Sequence, residues 1–192
     1  MSSEMDQWAV TLLGDNGVGK TSLALQFRDG RFIEIYDPTI EDHYGKQLNV
    51  DNRMCLVEVI DPALQEEWGF RDSWVQRGQA ALLIYSIASR TTFDGLESFR
   101  HIVKRIKGED AILILVGNKC DLEARREVSQ EEGAALALQL GCEFIETSAK
   151  TGHNVERAVA ILVRTLRGPA EPVAPAETKS KPTKSKRSCI IL

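Results

Sequence analysis

No apolar run in this chain of 192 residues comes near the ~18 residues that a bilayer crossing needs; runs such as Ala80–Ile84 and Ala111–Val116 fall far short. A membrane span is therefore not expected. The N-terminus, Met1-Ser2-Ser3-Glu4-Met5-Asp6, has acid where a secretory signal has bases followed by an apolar segment, so the expected location is the cytosolic side. Cysteine is sparse: Cys55, Cys120, Cys142 and Cys189 form no C-x-x-C pair and no cluster with histidine. That pattern argues against both a zinc site and a disulfide framework, and reduced thiols are expected. Internal repeats are absent. Proline is concentrated at one end, with four of the six (Pro169, Pro172, Pro175, Pro182) beyond residue 167.

What is present is a soluble-type composition, 43% hydrophobic and 27% charged, with a charge asymmetry. The net charge of −4 divides into +3 for residues 168–192 and −7 for the rest. The expected organisation is one domain over residues 1–167 and a disordered basic tail over 168–192, whose partner is an anionic surface. The tail ends in Cys189-Ile190-Ile191-Leu192, a C-a-a-X box whose final leucine favours geranylgeranylation of Cys189. One prenyl chain plus the bases Lys179, Lys181, Lys184, Lys186 and Arg187 supplies the two signals that stable anchoring takes. That points to the cytoplasmic face of the plasma membrane. Nucleic acid is not an expected partner, because the body is acidic and the basic run lacks interleaved aromatics.

Along the body, strand-like and helix-like stretches alternate. Trp8–Leu13 reads as a strand and Thr21–Phe27 as a helix; His43–Val50 and Met54–Ile60 read as an antiparallel hairpin about Asp51-Asn52-Arg53. A short helix is expected over Phe70–Arg77, and one helix over Thr92–Lys107, where apolar residues recur every three or four positions up to Gly108. Ile112–Val116 reads as a central parallel strand. Ser129-Gln130-Glu131-Glu132 has the form of a capping box, Gly141 closes that helix, Glu143–Glu146 is the last strand, and Asn154 is placed to cap a final helix. The fold class is α/β: three layers, a mostly parallel six-stranded sheet, one antiparallel edge strand, and ligands at the carboxyl ends of the strands.

Gly14-Asp15-Asn16-Gly17-Val18-Gly19-Lys20-Thr21 fits G-x-x-x-x-G-K-[ST] between a strand and a helix, the context of a phosphate-binding loop. Glycines let backbone N–H groups approach phosphate oxygens, Lys20 brings a point charge to the β- and γ-phosphates, and the Thr21 hydroxyl suits Mg²⁺. Asn118-Lys119-Cys120-Asp121 follows one predicted strand and Thr147-Ser148-Ala149-Lys150 another. A carboxylate at Asp121 can accept from guanine N1–H and the 2-amino group, whereas adenine would leave it unpaired. The ligand is then GTP or GDP, and a P-loop ATPase is disfavoured.

With Tyr36-Asp37-Pro38-Thr39-Ile40-Glu41-Asp42, Gln65-Glu66-Glu67 and Arg71-Asp72, these motifs in this order resemble the Ras-type small GTPases over nearly the whole body, with the P-loop NTPase fold. The resemblance implies that Asn118 and Lys119 brace the base, that the Ala149 N–H meets guanine O6, and that Phe32 stacks on the ring. It adds Ser22, Tyr36, Pro38, Leu122, Ser148 and Lys150 to the nucleotide site. Thr39 and Asp61 join Thr21 around Mg²⁺, and Gln65 positions the attacking water, with Lys20 and Thr39 as its catalytic companions. Residues 36–44 (through Ile40, Glu41, Asp42, His43 and Tyr44) become the surface for effector proteins, with Asp37, Glu41 and Asp42 exposed beside an edge strand. An exchange factor and an activating protein are further implied partners.

Among this chain's departures from the family pattern, two bear on hydrolysis. Asp61-Pro62-Ala63-Leu64-Gln65 has leucine where a glycine usually lends its N–H to the γ-phosphate and hinges the loop. Asn16 stands where glycine leaves room for an arginine supplied by the activating protein, a contribution worth roughly 10³–10⁵ in rate. The expectation is a membrane-anchored guanine nucleotide switch with slow hydrolysis; the alternative is a GTP-locked or non-cycling scaffold that binds effectors without it.

Overall fold

The computed structural model describes residues 5–32, 43–62 and 71–168. Six strands form one sheet in the order β2-β3-β1-β4-β5-β6: β1 Asp6–Leu13, β2 His43–Val50, β3 Arg53–Ile60, β4 Ala80–Ser86, β5 Ile112–Asn118 and β6 Glu143–Glu146. Every pairing is parallel except β2 with β3, which run antiparallel from His43 opposite Ile60 to Val50 opposite Arg53. The expected α/β architecture, with its antiparallel strand at one edge, is the one observed. Asp51 and Asn52 turn the hairpin with φ of 53° and 61°, a conformation that Asp and Asn tolerate best after glycine.

Helices cover both faces. On one, α1 (Lys20–Asp29) and α6 (Val155–Arg167) bury Leu23, Phe27, Val159 and Leu162 against Val57, Leu82 and Ile114. On the other, α2 (Arg71–Arg77), α4 (Leu96–Lys107) and α5 (Gln130–Leu140) set Val75, Phe99, Val103 and Ala137 against Leu83, Tyr85 and Leu115. Because side chains alternate along a strand, β4 serves both cores and all seven of its residues are buried.

Two local expectations are corrected. The pattern from Thr92 to Lys107 does not form one helix: α3 (Arg90–Asp94) and α4 meet at Gly95. Thr92 holds α3 to the end of β4, its hydroxyl accepting from Ser86 N at 3.1 Å and donating to Ser89 O at 2.9 Å. Gly95 lies beside the phosphate loop, its Cβ position 3.5 Å from Asp15 Oδ2, an ordinary contact distance. Asn154 precedes α6 but does not cap it; at φ 56° its amide turns away and donates to Glu146 O at 2.9 Å, tying the helix start to β6. The capping box forms as expected: Glu132 N donates to Ser129 Oγ at 3.2 Å, and Ser129 N to Glu132 Oε2 at 2.9 Å. Gly141 closes α5 with φ 69°.

Candidate functional site

Strands β1, β3, β5 and β6 end on one side of the sheet, and the residues that follow them converge there. The loop after β1 needs its glycines. Gly14 has φ 153°, and a Cβ on it would sit 2.1 Å from Ile84 O; at Gly19, φ is 96° and a Cβ would sit 2.6 Å from Asn118 Nδ2. Lys20 is buried, and its ammonium reaches across the loop to donate to Gly14 O at 2.9 Å and Asp15 O at 3.0 Å. Val18 is fully buried beneath the loop, so the backbone rests on the core rather than on solvent.

Asn118, the last residue of β5, is wholly buried and makes three contacts. Its Nδ2 donates to Val18 O at 2.8 Å; its Oδ1 accepts from Thr147 Oγ1 at 3.1 Å and from Ala149 N at 3.2 Å. Lys119 adopts φ 64° and donates from Nζ to Gly17 O at 2.6 Å. These two residues thus brace the phosphate loop itself. Asp121 Oδ1 accepts from Ser148 Oγ at 2.6 Å, and Ser148 Oγ accepts in turn from Thr151 N at 3.1 Å.

Together the three loops enclose a cavity of about 540 Å³. Asn16, Gly17, Gly19, Lys20, Thr21 and Ser22 line one end; Asn118, Lys119, Asp121, Leu122, Ala149 and Lys150 line the other, with Phe32 at the wall. At the phosphate end, the Thr21 hydroxyl donates to Asp61 Oδ2. Asp61 is buried, so a hydroxyl oxygen and a carboxylate meet beside Lys20. Hard oxygen donors of this kind fit Mg²⁺, which takes one or two protein oxygens and completes its shell with phosphate and water.

The sequence of the whole body points the same way. The Ras family profile matches residues 9–168. The chain is 43% identical to Ras-like protein 1 of Pyricularia oryzae, the match covering 87% of this chain and 78% of that protein. It is 44% identical to Protein ras-2 of Neurospora crassa, over 83% of this chain and 79% of that one. The chain belongs to the Ras family. As a Ras-family small GTPase it binds GTP and GDP; the family's reaction is GTP hydrolysis, its general metal is Mg²⁺, and its members generally work with effectors, exchange factors and activating proteins.

The structure brings the phosphate loop, Asp61, the 118–122 segment and the 148–150 turn of this Ras-family protein to one cavity. Tyr36, Asp37, Pro38, Thr39, Ile40, Glu41 and Asp42, together with Leu64, Gln65 and Cys189, lie outside the described residues. Of the expected effector segment, His43 opens β2 and Tyr44 follows it at the sheet edge. The Tyr44 side chain is buried, 1% exposed, with the Arg28 guanidinium 5.1 Å over its ring. A partner reaching Tyr44 would meet its backbone. One feature has no signal in the linear sequence: Arg126 and Glu146, 20 positions apart, form a paired ion bridge behind the base end of the cavity.

Proposed function

We propose that this protein is a membrane-anchored switch of the Ras family whose GTP hydrolysis is slow, with the nucleotide held in the 540 Å³ cavity. The observation that carries the reading is the convergence there of Lys20, the Thr21–Asp61 pair and the Asp121–Ser148–Ala149 corner. In this reading backbone N–H groups of residues 16–21 cradle the phosphates, and Lys20 exchanges its loop carbonyls for β- and γ-phosphate oxygens. Asp121 accepts from the guanine edge while Ser148 holds that carboxylate in place, the Ala149 N–H meets O6, and Phe32 covers the ring. Mg²⁺, held by Thr21 and Thr39 with Asp61 nearby, offsets charge on the phosphate oxygens when bound. Gln65 orients the attacking water, and residues 36–44 present the nucleotide state to effectors.

Slow turnover rests on Asn16 and Leu64. Asn16 lines the cavity at its phosphate end, where an arginine from an activating protein would have to enter. Taken to its limit, the same observation favours a GTP-locked scaffold. The nucleotide that co-purifies with the full chain separates the two: mostly GDP means that the protein cycles, mostly GTP that it is locked. Single-turnover hydrolysis with and without an activating protein then tests the rate, and strong acceleration by that partner overturns the slow-switch reading.

A further inference from the structure

The base end of the cavity is made of two loops that come from different strands, and something must hold them in register. β5 and β6 are parallel neighbours with Gly117 opposite Glu146, so the base-reading segments begin side by side. Gly117 has no side chain, and the Glu146 stem crosses the space: a Cβ there would lie 3.3 Å from Glu146 Cγ and 2.9 Å from the Tyr85 hydroxyl. The Glu146 carboxylate then meets Arg126, which follows the 120–125 turn. Arg126 Nη1 donates to Glu146 Oε1 at 2.6 Å and Nη2 to Oε2 at 2.9 Å, a two-point contact. Both side chains are largely covered, at 15% and 10% exposure. The remaining partners close the group: Arg126 Nη1 also donates to Val128 O at 3.0 Å, Nε and Nη2 reach Glu123, and Gln130 Nε2 donates to Glu146 Oε2 at 2.9 Å.

We infer that Arg126 and Glu146 are positioning residues for guanine recognition: their bridge fixes the segment bearing Asp121 against the turn bearing Ser148 and Ala149. The inference rests on the proposed reading of Asp121 and Ala149 as base contacts. Glu123 and Arg126 stand two and five positions beyond Asp121, and Glu146 stands two before Ser148, so the bridge ties the roots of both loops. The Asn154 amide on Glu146 O fastens the same root to α6. Removing Arg126 leaves the covered Glu146 carboxylate with Gln130 alone, and neutralising Glu146 leaves Arg126 with Glu123 and Val128 O. The two loops are then held by the Asp121–Ser148 and Asn118 side-chain contacts and by the backbone bonds from Cys120 N to Thr147 O and from Thr147 N to Gly117 O, without the bridge that fixes their roots.

The test uses the full-length protein loaded with Mg²⁺ and a fluorescent GDP. Dissociation is chased with excess unlabelled nucleotide, and affinities for GDP and IDP are compared, since hypoxanthine lacks the 2-amino group that Asp121 would accept from. Arg126→Ala and Glu146→Gln should each speed GDP release by roughly an order of magnitude and narrow the preference for GDP over IDP. The double variant should be no worse than the more affected single one, because the pair acts as a unit. Arg126→Lys keeps the charge without the fork and should move in the same direction, which guards against a variant that fails to fold. If these variants lower only the melting temperature, leaving release and the GDP/IDP preference as in the parent, the positioning role is overturned. Asp121→Ala is the separate control on the underlying reading. It should abolish the preference by itself, and if the preference persists there, the base assignment fails and the proposal with it.

Discussion

Asn118 Nδ2 donates to the carbonyl of Val18 across 2.8 Å, joining the base-side strand to the phosphate loop over 100 positions of sequence. The same side chain accepts from Thr147 and Ala149, so one buried amide sets the mutual distance of three loops. A group of this kind is worth more than its bond count, because each partner it abandons is itself buried.

Asn118→Ala should therefore weaken GDP binding by roughly a hundredfold or more, since unpaired buried groups cost about 1–3 kcal/mol each. Nucleotide titration of the purified variant, beside its thermal unfolding, measures both consequences.

Asn16→Gly should leave intrinsic single-turnover hydrolysis little changed while opening the cavity to an arginine from an activating protein, whose contribution can reach roughly 10³–10⁵ in rate. Leu64→Gly, assayed by itself, should instead raise the intrinsic rate through the restored hinge. Measuring both variants with and without that protein assigns the slow step to one position or the other.

The Tyr85 hydroxyl is fully buried and has no hydrogen-bond partner among the described residues, and burial together with the nearby Glu146 carboxylate pushes its pKa up. Tyr85→Phe keeps the ring, including its edge contact with Phe93 at 4.9 Å, and removes an unpaired polar atom. The variant should gain about 1 kcal/mol, and calorimetry of the GDP-bound protein should show a higher Tm.

Arg164 donates to both carboxylate oxygens of Asp51 at 2.8 Å, and this hydrogen bonding holds Asp51 below its ordinary value of 3.8. A depressed carboxylate stabilises the fold above its unfolded pKa and loses that contribution as pH falls through the folded one. Asp51→Asn, which tolerates the same positive φ, should thus melt below the parent at neutral pH, and the gap should close as pH drops below about 3.8. Parallel melting curves from pH 7 downward give the result.

Cys189→Ser should release the protein from the membrane fraction of cells, and neutralising the five tail bases should do so in part while prenylation persists. Fractionation with detection of the prenyl group by mass spectrometry distinguishes loss of the lipid from loss of the charge.

Much of the site was legible in the chain because its chemistry is local. Gly14 to Thr21 can be read as a phosphate loop since the turn, the close approach and the helix start all lie within eight residues; the Ser129–Glu132 capping box and the Asp51-Asn52 turn are local for the same reason. The alternation of strand-like and helix-like stretches likewise implies a mostly parallel sheet, which is the observed arrangement, and the cavity lies past the carboxyl ends of its strands, where a ligand was expected.

Tertiary structure decided what depends on which strand lies beside which. Sheet register sets Gly117 against Glu146 and so permits the Arg126 bridge; convergence of β1 and β5 lets Asn118 and Lys119 hold the phosphate-loop backbone. Packing against the core took the Tyr44 side chain out of the accessible surface, and the Thr92 bond to Ser86 N ties the short α3 to the end of β4, where the apolar spacing reads as one continuous helix. Periodicity and motif spacing carry short-range chemistry, whereas contacts across 20 to 100 positions exist only once the sheet has fixed its order.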